Sequence, residues 1–368
     1  MDTLIKSSIK KVITLDEYLT VASHNLSYGK ALGSLILQIA DSTKKIAALT
    51  AKGALVDAGQ KLDITNVQGE VQTNIDVQSN DLFITALKNS GLVCGLVSEE
   101  LETPLFFNEA EKSGRFLVAF DPLDGSSNVG VNVSTGSIFS ILTAFKDTNK
   151  HYDFLQPGNK QLAAGYAIYG PSTMLVITIG SGTQGFTLCP ESQHYVLTHP
   201  DMQMPKTASE YAINASNERY WEEPVQQYIY ECIDGSDGKR ERDFNMRWVA
   251  SMVADIHRIL MRGGLYLYPK DNKLPTKAGR LRLLYEANPM SYIVEQAGGK
   301  CTTGRQRILD IQPTDIHQRT PVILGSSIEV TLLELSHSEF DSKLADAQLL
   351  QHWNTDKRLL SHLQMNKG

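Results

Sequence analysis

The sequence predicts a layered chain of mixed helices and strands, of the α/β class (α+β in some schemes). Two kinds of segment carry that reading. Leu32, Leu35, Ile36, Ile39, Ala40, Ile46 and Ala47 recur at helical spacing, and so do Trp248, Met252, Val253, Ile256 and Leu260. Between these stripes lie short unbroken apolar runs, Leu92–Val97 and Phe116–Phe120, with the length of strands covered on both faces.

In chain order, residues 30–50 read as an amphipathic helix. The polar stretch Gly53–Asn74, with three glycines and no sustained period, reads as a mobile loop. Asn80–Asn89 reads as a short helix with Leu82, Phe83, Ala86 and Leu87 on one face. Further strands are expected at Ile138–Leu142, Met174–Ile179 and Phe186–Leu188, with a turn in Gly180–Gly185. The second helical stripe ends at Gly263-Gly264. Leu265–Tyr268 and Val322–Leu324 read as strands, and Tyr285–Ala297 as a helix whose register starts or kinks at Pro289. A length of 368 residues suits about two domains of roughly 150 residues each. Leu197–Ala212, polar and carrying two prolines, is the best boundary between them.

With 42% hydrophobic and 21% charged residues, the chain can bury a sizeable core and is unlike a disordered one. Its net charge of −6 argues against a general nucleic-acid binder, which needs a basic face. It leaves a phosphorylated metabolite open, because local charge and metal ions override the total. No apolar run approaches the ~18–20 residues of a membrane span. Within Met1–Thr20, Lys6, Lys10, Lys11, Asp16 and Glu17 interrupt the apolar residues, so no secretory segment is expected. Cys94, Cys189, Cys232 and Cys301 form no CxxC pair, which excludes a zinc ribbon or a thioredoxin-type motif. A reduced, cytoplasmic protein is the expectation.

The densest chemistry lies between Glu70 and Asp124. Glu99-Glu100 follows one apolar run and Asp121 follows the other, so the two acidic ends should lie side by side where such sheets bind ligands. Carboxylates brought together repel unless a cation neutralises them. Hard oxygen ligands without His or Cys suit Mg²⁺ or Mn²⁺ rather than zinc. The alternative for each acid is a solvated surface group. The run Asp121-Pro122-Leu123-Asp124-Gly125-Ser126-Ser127-Asn128 adds to this. Pro122 biases Asp121 toward an extended backbone, so that Asp121 and Asp124 face one point with a carbonyl between them. Gly125, Ser126 and Ser127 offer amides without bulk, the composition of an anion nest. Together they suggest a metal-held phosphate; the alternative is an Asp-Gly turn with serine caps.

From these residues on, the sequence resembles the class I fructose-1,6-bisphosphatases, within the inositol monophosphatase-like Mg²⁺-dependent phosphatases. The matching pieces are VSEE (97–100), FDPLDGSSN (120–128), QPGNKQLAAGYAIYGPSTMLV (156–176), RWVASMVADIHR (247–258) and LRLLYEANPM (281–290), in the family's order. The resemblance implies an αβαβα sandwich of two sheets with helices, the sugar-phosphatase fold. It implies residues 1–200 as a metal- and phosphate-binding domain and 201–335 as a sugar-binding domain; residues 336–368 run beyond the family's usual end, and Leu349, Leu350, Trp353, Leu359, Leu360 and Leu363, partly at helical spacing, read there as a peripheral helical extension. It also implies a cluster of two or three Mg²⁺ (Mn²⁺ as alternative) on Glu99, Asp121, the carbonyl of Leu123, Asp124 and Glu286. Without it, Glu286 would read as a helix-surface acid. Asp76 and Glu100 match the acids that activate water and accept its proton, and Glu70 matches an acidic loop position near the first metal.

For the substrate, the resemblance implies Asp124 and the Gly125, Ser126 and Ser127 turn at the 1-phosphate. It places Asn214, Arg247, Tyr268 and Tyr285 at the sugar and 6-phosphate, with Arg280 and Arg282 nearer the fructose and 1-phosphate. Arg247 would reach across a subunit interface, implying a homo-oligomer, usually a homotetramer. Read alone, Tyr268 and Tyr285 are core residues with satisfied hydroxyls, and Trp248 belongs equally to packing or to substrate contact. Arg280 stands where lysine is typical, Trp248 where tyrosine is, and Asn217 where a second 6-phosphate tyrosine is. Many members are inhibited by AMP through a lysine, a tyrosine and an arginine. Arg115, Phe116 and Thr143 stand at those places here, and Tyr28-Gly29-Lys30 opens the helix that would hold the phosphate. The implied activity is Mg²⁺-dependent hydrolysis of the 1-phosphate of fructose 1,6-bisphosphate, in gluconeogenesis or the Calvin cycle. A sedoheptulose-1,7-bisphosphatase, or an enzyme acting on both sugars, remains open. A non-catalytic sensor would have lost a ligand or the water-activating acid, and all are present.

Overall fold

A computed structural model describes residues 12–56, 61–65, 71–107, 116–145, 151–273 and 275–365. Helix α1 (Leu15–Ala22) starts at a capping box in which the Glu17 amide donates to Thr14 Oγ1 and the Thr14 amide to Glu17. Helix α2 (Gly29–Thr50) follows, with the expected apolar stripe buried apart from Ala47, which is partly buried. Gly53–Asn74 is not the plain loop expected. It carries a short 3₁₀ turn and a hairpin, β1 (Lys61–Thr65) with β2 (Val71–Thr73). Glu70 lies outside the described residues, as does Arg115. Helix α3 (Asn74–Asn89) begins six residues earlier than expected, because Thr73 and Asp76 form a second capping box.

The first sheet is built from β3 (Val93–Ser98), β4 (Leu105–Phe106), β5 (Phe116–Asp124), β6 (Thr135–Thr143), β7 (Ala163–Tyr169), β8 (Thr173–Thr178), β9 (Thr183–Leu188) and β10 (Tyr195–His199). Its order is β10-β9-β8-β7-β6-β5-β3-β4, antiparallel except for the parallel pair β3/β5. The second sheet joins β11 (Glu210–Ile213), β12 (Asn245–Met246) and β13 (Leu265–Tyr268), with helices α4 (Glu223–Asp234) and α5 (Met252–Arg262) between them in the chain. After a short strand β14 (Leu281–Arg282) come α6 (Asn288–Gln296), β15 (Lys300–Thr302), β16 (Arg319–Thr320), β17 (Val322–Gly325) and α7 (Ser327–Met365). The order of the second sheet is β12-β11-β13-β17-β15.

Burial sorts these elements into layers. One core joins α1–α3 to one face of the first sheet. A second fills the middle: Ile138, Tyr166 and Val176 from that sheet meet α5, α6 and, from the second sheet, Tyr266, Val322 and Leu324. A third packs α4 and α7 on Leu265, Leu267 and Ile323, the opposite face of the same strands. The period-two alternation along β13 and β17 thus feeds two cores, as a sheet buried on both faces requires. The architecture is the αβαβα sandwich. In the stretch read as a boundary, Met202 and Met204 are buried in the middle core between β10 and β11.

Other sequence expectations shift at this level. Trp248 is not on the helix: α5 starts at Met252, where Ser251 caps it by accepting from the Ala254 amide. The turn at Gly180–Gly185 is shorter, since β9 begins at Thr183. Tyr285–Ala297 does change register near Pro289, through a π-turn over Leu283–Ala287 that runs into α6. Beyond Ser336 the chain continues α7 without a break as far as Met365.

Candidate active site

The parallel pairing of β3 with β5 sets Ser98 beside Phe120, and the Glu99 amide donates to the Phe120 carbonyl at 3.2 Å. Glu99 therefore leaves the end of β3 beside Asp121, which stays in β5 paired with Ile138 of β6. The π-turn brings Glu286 onto them. One carboxylate oxygen from each of Glu99, Asp121 and Glu286 lies within 4.8 Å of the others, and all three side chains are buried. Asp124, three residues further along β5, points its Oδ2 at the Ser251 hydroxyl (2.9 Å) and the Val253 amide (2.9 Å).

These groups wall a cavity of about 600 Å³ between the two sheets. Asp76, Glu100, Leu123, Gly125, Ser126, Ser127, Asn214, Trp248, Tyr268 and Arg282 face it as well. Gly125 sits at φ +72°, and a side chain there would meet Ser251 Cβ at 2.9 Å, so only glycine lets this turn close against α5. Trp248 stacks on Tyr266 with ring centres 6.0 Å apart and meets Tyr268 edge-on, so it is both packed and exposed to the cavity.

The electrostatics are those of a site that needs a cation. Burial pushes the Asp121 carboxyl well above its ordinary range, and Glu99, Asp124 and Glu286 push it further. Asp124 is pushed up to about 7 by burial, against the pull of Val253 and Ser251. Arg282 supplies the cation that the structure does show, at 2.7 Å from Glu99 and 3.5 Å from Glu286, and its amide donates to Glu286. Clustered hard carboxylates with raised affinity for protons are a donor set that fits Mg²⁺ or Mn²⁺.

Other expected contacts lie elsewhere. Tyr285 is fully buried, with its hydroxyl on His317 Nδ1 at 2.9 Å, and is not in the cavity wall. Arg280 is also outside the wall, forked onto the buried Asp271 at 3.1–3.2 Å. Arg247 is half exposed and lies 3.6 Å from Glu210. Sequence reasoning missed Ser251, Met252 and Tyr266, although a serine opening the MVADIHR stripe is a helix-cap signal.

The family models for the fructose-1-6-bisphosphatase N-terminal domain and C-terminal domain match residues 13–200 and 204–338. The chain is 53% identical over 325 residues to the class 1 fructose-1,6-bisphosphatase of Acinetobacter baylyi, covering 88% of this chain and 99% of that protein. It is 50% identical over 342 residues to that of Hydrogenophilus thermoluteolus, covering 91% and 95%. Among solved structures, holo Leishmania major fructose-1,6-bisphosphatase superposes with a TM-score of 0.82 at 38% identity, covering 89% of this chain and 99% of that one. Matched through both domains by sequence and by fold, the chain belongs to the class 1 fructose-1,6-bisphosphatase family.

Proposed function

We propose that this chain removes the 1-phosphate of fructose 1,6-bisphosphate, giving fructose 6-phosphate and inorganic phosphate. It is a divalent-metal-dependent phosphoric monoester hydrolase of carbohydrate metabolism. The observation that carries this reading is the convergence of Glu99, Asp121 and Glu286 beside the amide-rich turn at Gly125–Ser127. The cation is Mg²⁺, two or three per subunit, with Mn²⁺ as the alternative, held by Glu99, Asp121, the Leu123 carbonyl, Asp124 and Glu286. Bound there, it supplies an activated water and neutralises charge on the transferring phosphoryl group.

The chain's own groups do the rest. The Gly125, Ser126 and Ser127 amides hold the 1-phosphate in line, so that little reorganisation is left for the reaction. Arg282 exchanges its carboxylate partners for phosphate oxygens. Asp76 orients the attacking water and Glu100 accepts its proton at a carboxylate oxygen; Glu70, outside the described residues, is the third acid of this set by its match to the family. Asn214, Trp248 and Tyr268 face the sugar and 6-phosphate. Arg247 completes the 6-phosphate site of a neighbouring copy in a homotetramer. Arg280 and Tyr285 support this surface through Asp271 and His317 rather than by contact. Residues 1–200 form the metal and phosphate domain, 201–335 the sugar domain and 336–368 the helical extension. The setting is cytoplasmic gluconeogenesis or the Calvin cycle. Among the described residues no helix is long and apolar enough to cross a membrane.

The test is phosphate release from fructose 1,6-bisphosphate with Mg²⁺, alongside sedoheptulose 1,7-bisphosphate. The reading expects turnover abolished by EDTA, restored by Mg²⁺, and a higher kcat/KM for the fructose ester. No metal-dependent turnover of either ester would overturn it.

A further inference from the structure

The segment 247–251 joins β12 to α5 and walls the cavity through Trp248 and Ala250. It contains a costly backbone conformation. Ala250 has φ +65°, the left-handed region in which a Cβ crowds the following carbonyl oxygen and which glycine enters freely. An alanine does not hold that conformation unless its surroundings impose it.

The surroundings are well defined. The Val249 amide donates to the buried Asp255 carboxylate at 3.0 Å, and the Ala250 amide donates to it at 3.2 Å. Arg258 donates to the same carboxylate at 2.8 Å, to Glu210 at 3.1 Å and to the Arg247 carbonyl at 3.0 Å. From the other side, Asn128 Nδ2 donates to the Ala250 carbonyl at 3.1 Å. The very next residue, Ser251, grips Asp124. A carboxylate meeting only donors is the group this spot needs, because an amide of the same size would turn a donor toward donors.

We propose that Asp255 is a positioning residue of this active site: by holding the Val249 and Ala250 amides it keeps Ala250 left-handed, and so fixes both the Trp248 wall and the Ser251 grip on Asp124. The inference rests on the phosphatase reading above. Asp255 acts through the segment and is not itself in the cavity wall.

The test compares the wild type, D255N, A250G and the double variant by kcat/KM, by Mg²⁺ affinity from calorimetry and by thermal melting. Turnover by the wild type settles the phosphatase reading first, so the two failures are distinguishable. D255N should lower kcat/KM by about tenfold or more and weaken Mg²⁺ binding by roughly threefold or more. Adding A250G should recover roughly threefold or more of the lost kcat/KM, because glycine enters the left-handed region without the clamp. A merely structural role predicts a lower Tm with kcat/KM and Mg²⁺ affinity per folded molecule unmoved, and that result overturns the proposal. So does a double variant no better than D255N. If D255N does not fold, R258Q, which strips the carboxylate of its cation, must move both quantities in the same direction; unchanged values overturn the proposal.

Discussion

Asp76 faces the cavity and also caps α3, accepting from the Thr73 amide at 2.7 Å and its hydroxyl at 2.8 Å. Its two roles separate by measurement. Asp76→Ala should cost about 0.5–2 kcal/mol of stability through the lost cap. It should lower kcat by roughly a hundredfold or more with KM little changed if, as proposed above, the residue acts on water rather than on the sugar. A change confined to KM would make it a binding residue. At this scale the sequence was legible where local context was enough: Glu99 and Asp121 each close a short apolar run, and parallel pairing joins the ends. Glu286 was not legible from its own neighbourhood, because what separates it from a surface acid is a π-turn set by tertiary packing. The same limit applies to Tyr285 and Arg280, whose hydroxyl and guanidinium are taken by His317, 32 residues on, and Asp271, nine residues back, neither within the LRLLYEANPM motif.

Helices α2, α3, α5 and α6 and strands β3, β5, β6, β8, β9, β13 and β17 could be read from apolar runs and stripes, while the other strands were not, and the failures have physical causes. The strand β7, sequence AAGYAIY, has weak strand propensity, and its burial between two cores overrides that. Gly165 is required there, since a side chain would lie 2.3 Å from Phe139 Cζ. Trp248 shares the spacing of the α5 stripe but precedes its cap, because the Ser251 side chain and the Ala250 conformation end the strand connection first. One prediction belongs to an element, the start of α2. Phe116 and Thr143, which stand where a tyrosine and an arginine would serve AMP, are paired across β5 and β6. Phe116 is fully buried, edge-on to Tyr28 at the cap of α2. The two losses therefore fall on one spot, and each charge-assisted phosphate contact removed should cost roughly ten- to a hundredfold in affinity. A dose–response curve at saturating Mg²⁺ should show little inhibition by AMP; half-inhibition in the micromolar range would contradict this.

On the scale of the whole molecule, the sandwich brings β5, the π-turn and the segment before α5 to one cavity, and no single element holds the site. That coupling makes stability report on the metal. Asp121 and Asp124 bind protons more tightly in the folded, metal-free chain than in the unfolded one, Asp124 up to about 7. The contribution of Asp124 to stability is therefore present below about pH 4 and is lost as pH rises through about 7, and that of Asp121 runs in the same direction. Mg²⁺ needs the ionised carboxylates, so its stabilising effect should grow over the same interval. The gain in Tm on adding Mg²⁺ should be larger at about pH 8 than at about pH 5.5, and an equal gain would count against the cluster as the cation site. The most direct test of the central claim is the turnover of Glu286→Gln, the acid that only the fold brings to the others. With circular dichroism matching the wild type, kcat for fructose 1,6-bisphosphate should fall by about a hundredfold or more. A folded variant that keeps more than about a tenth of the wild-type kcat would contradict a metal site built from Glu99, Asp121 and Glu286.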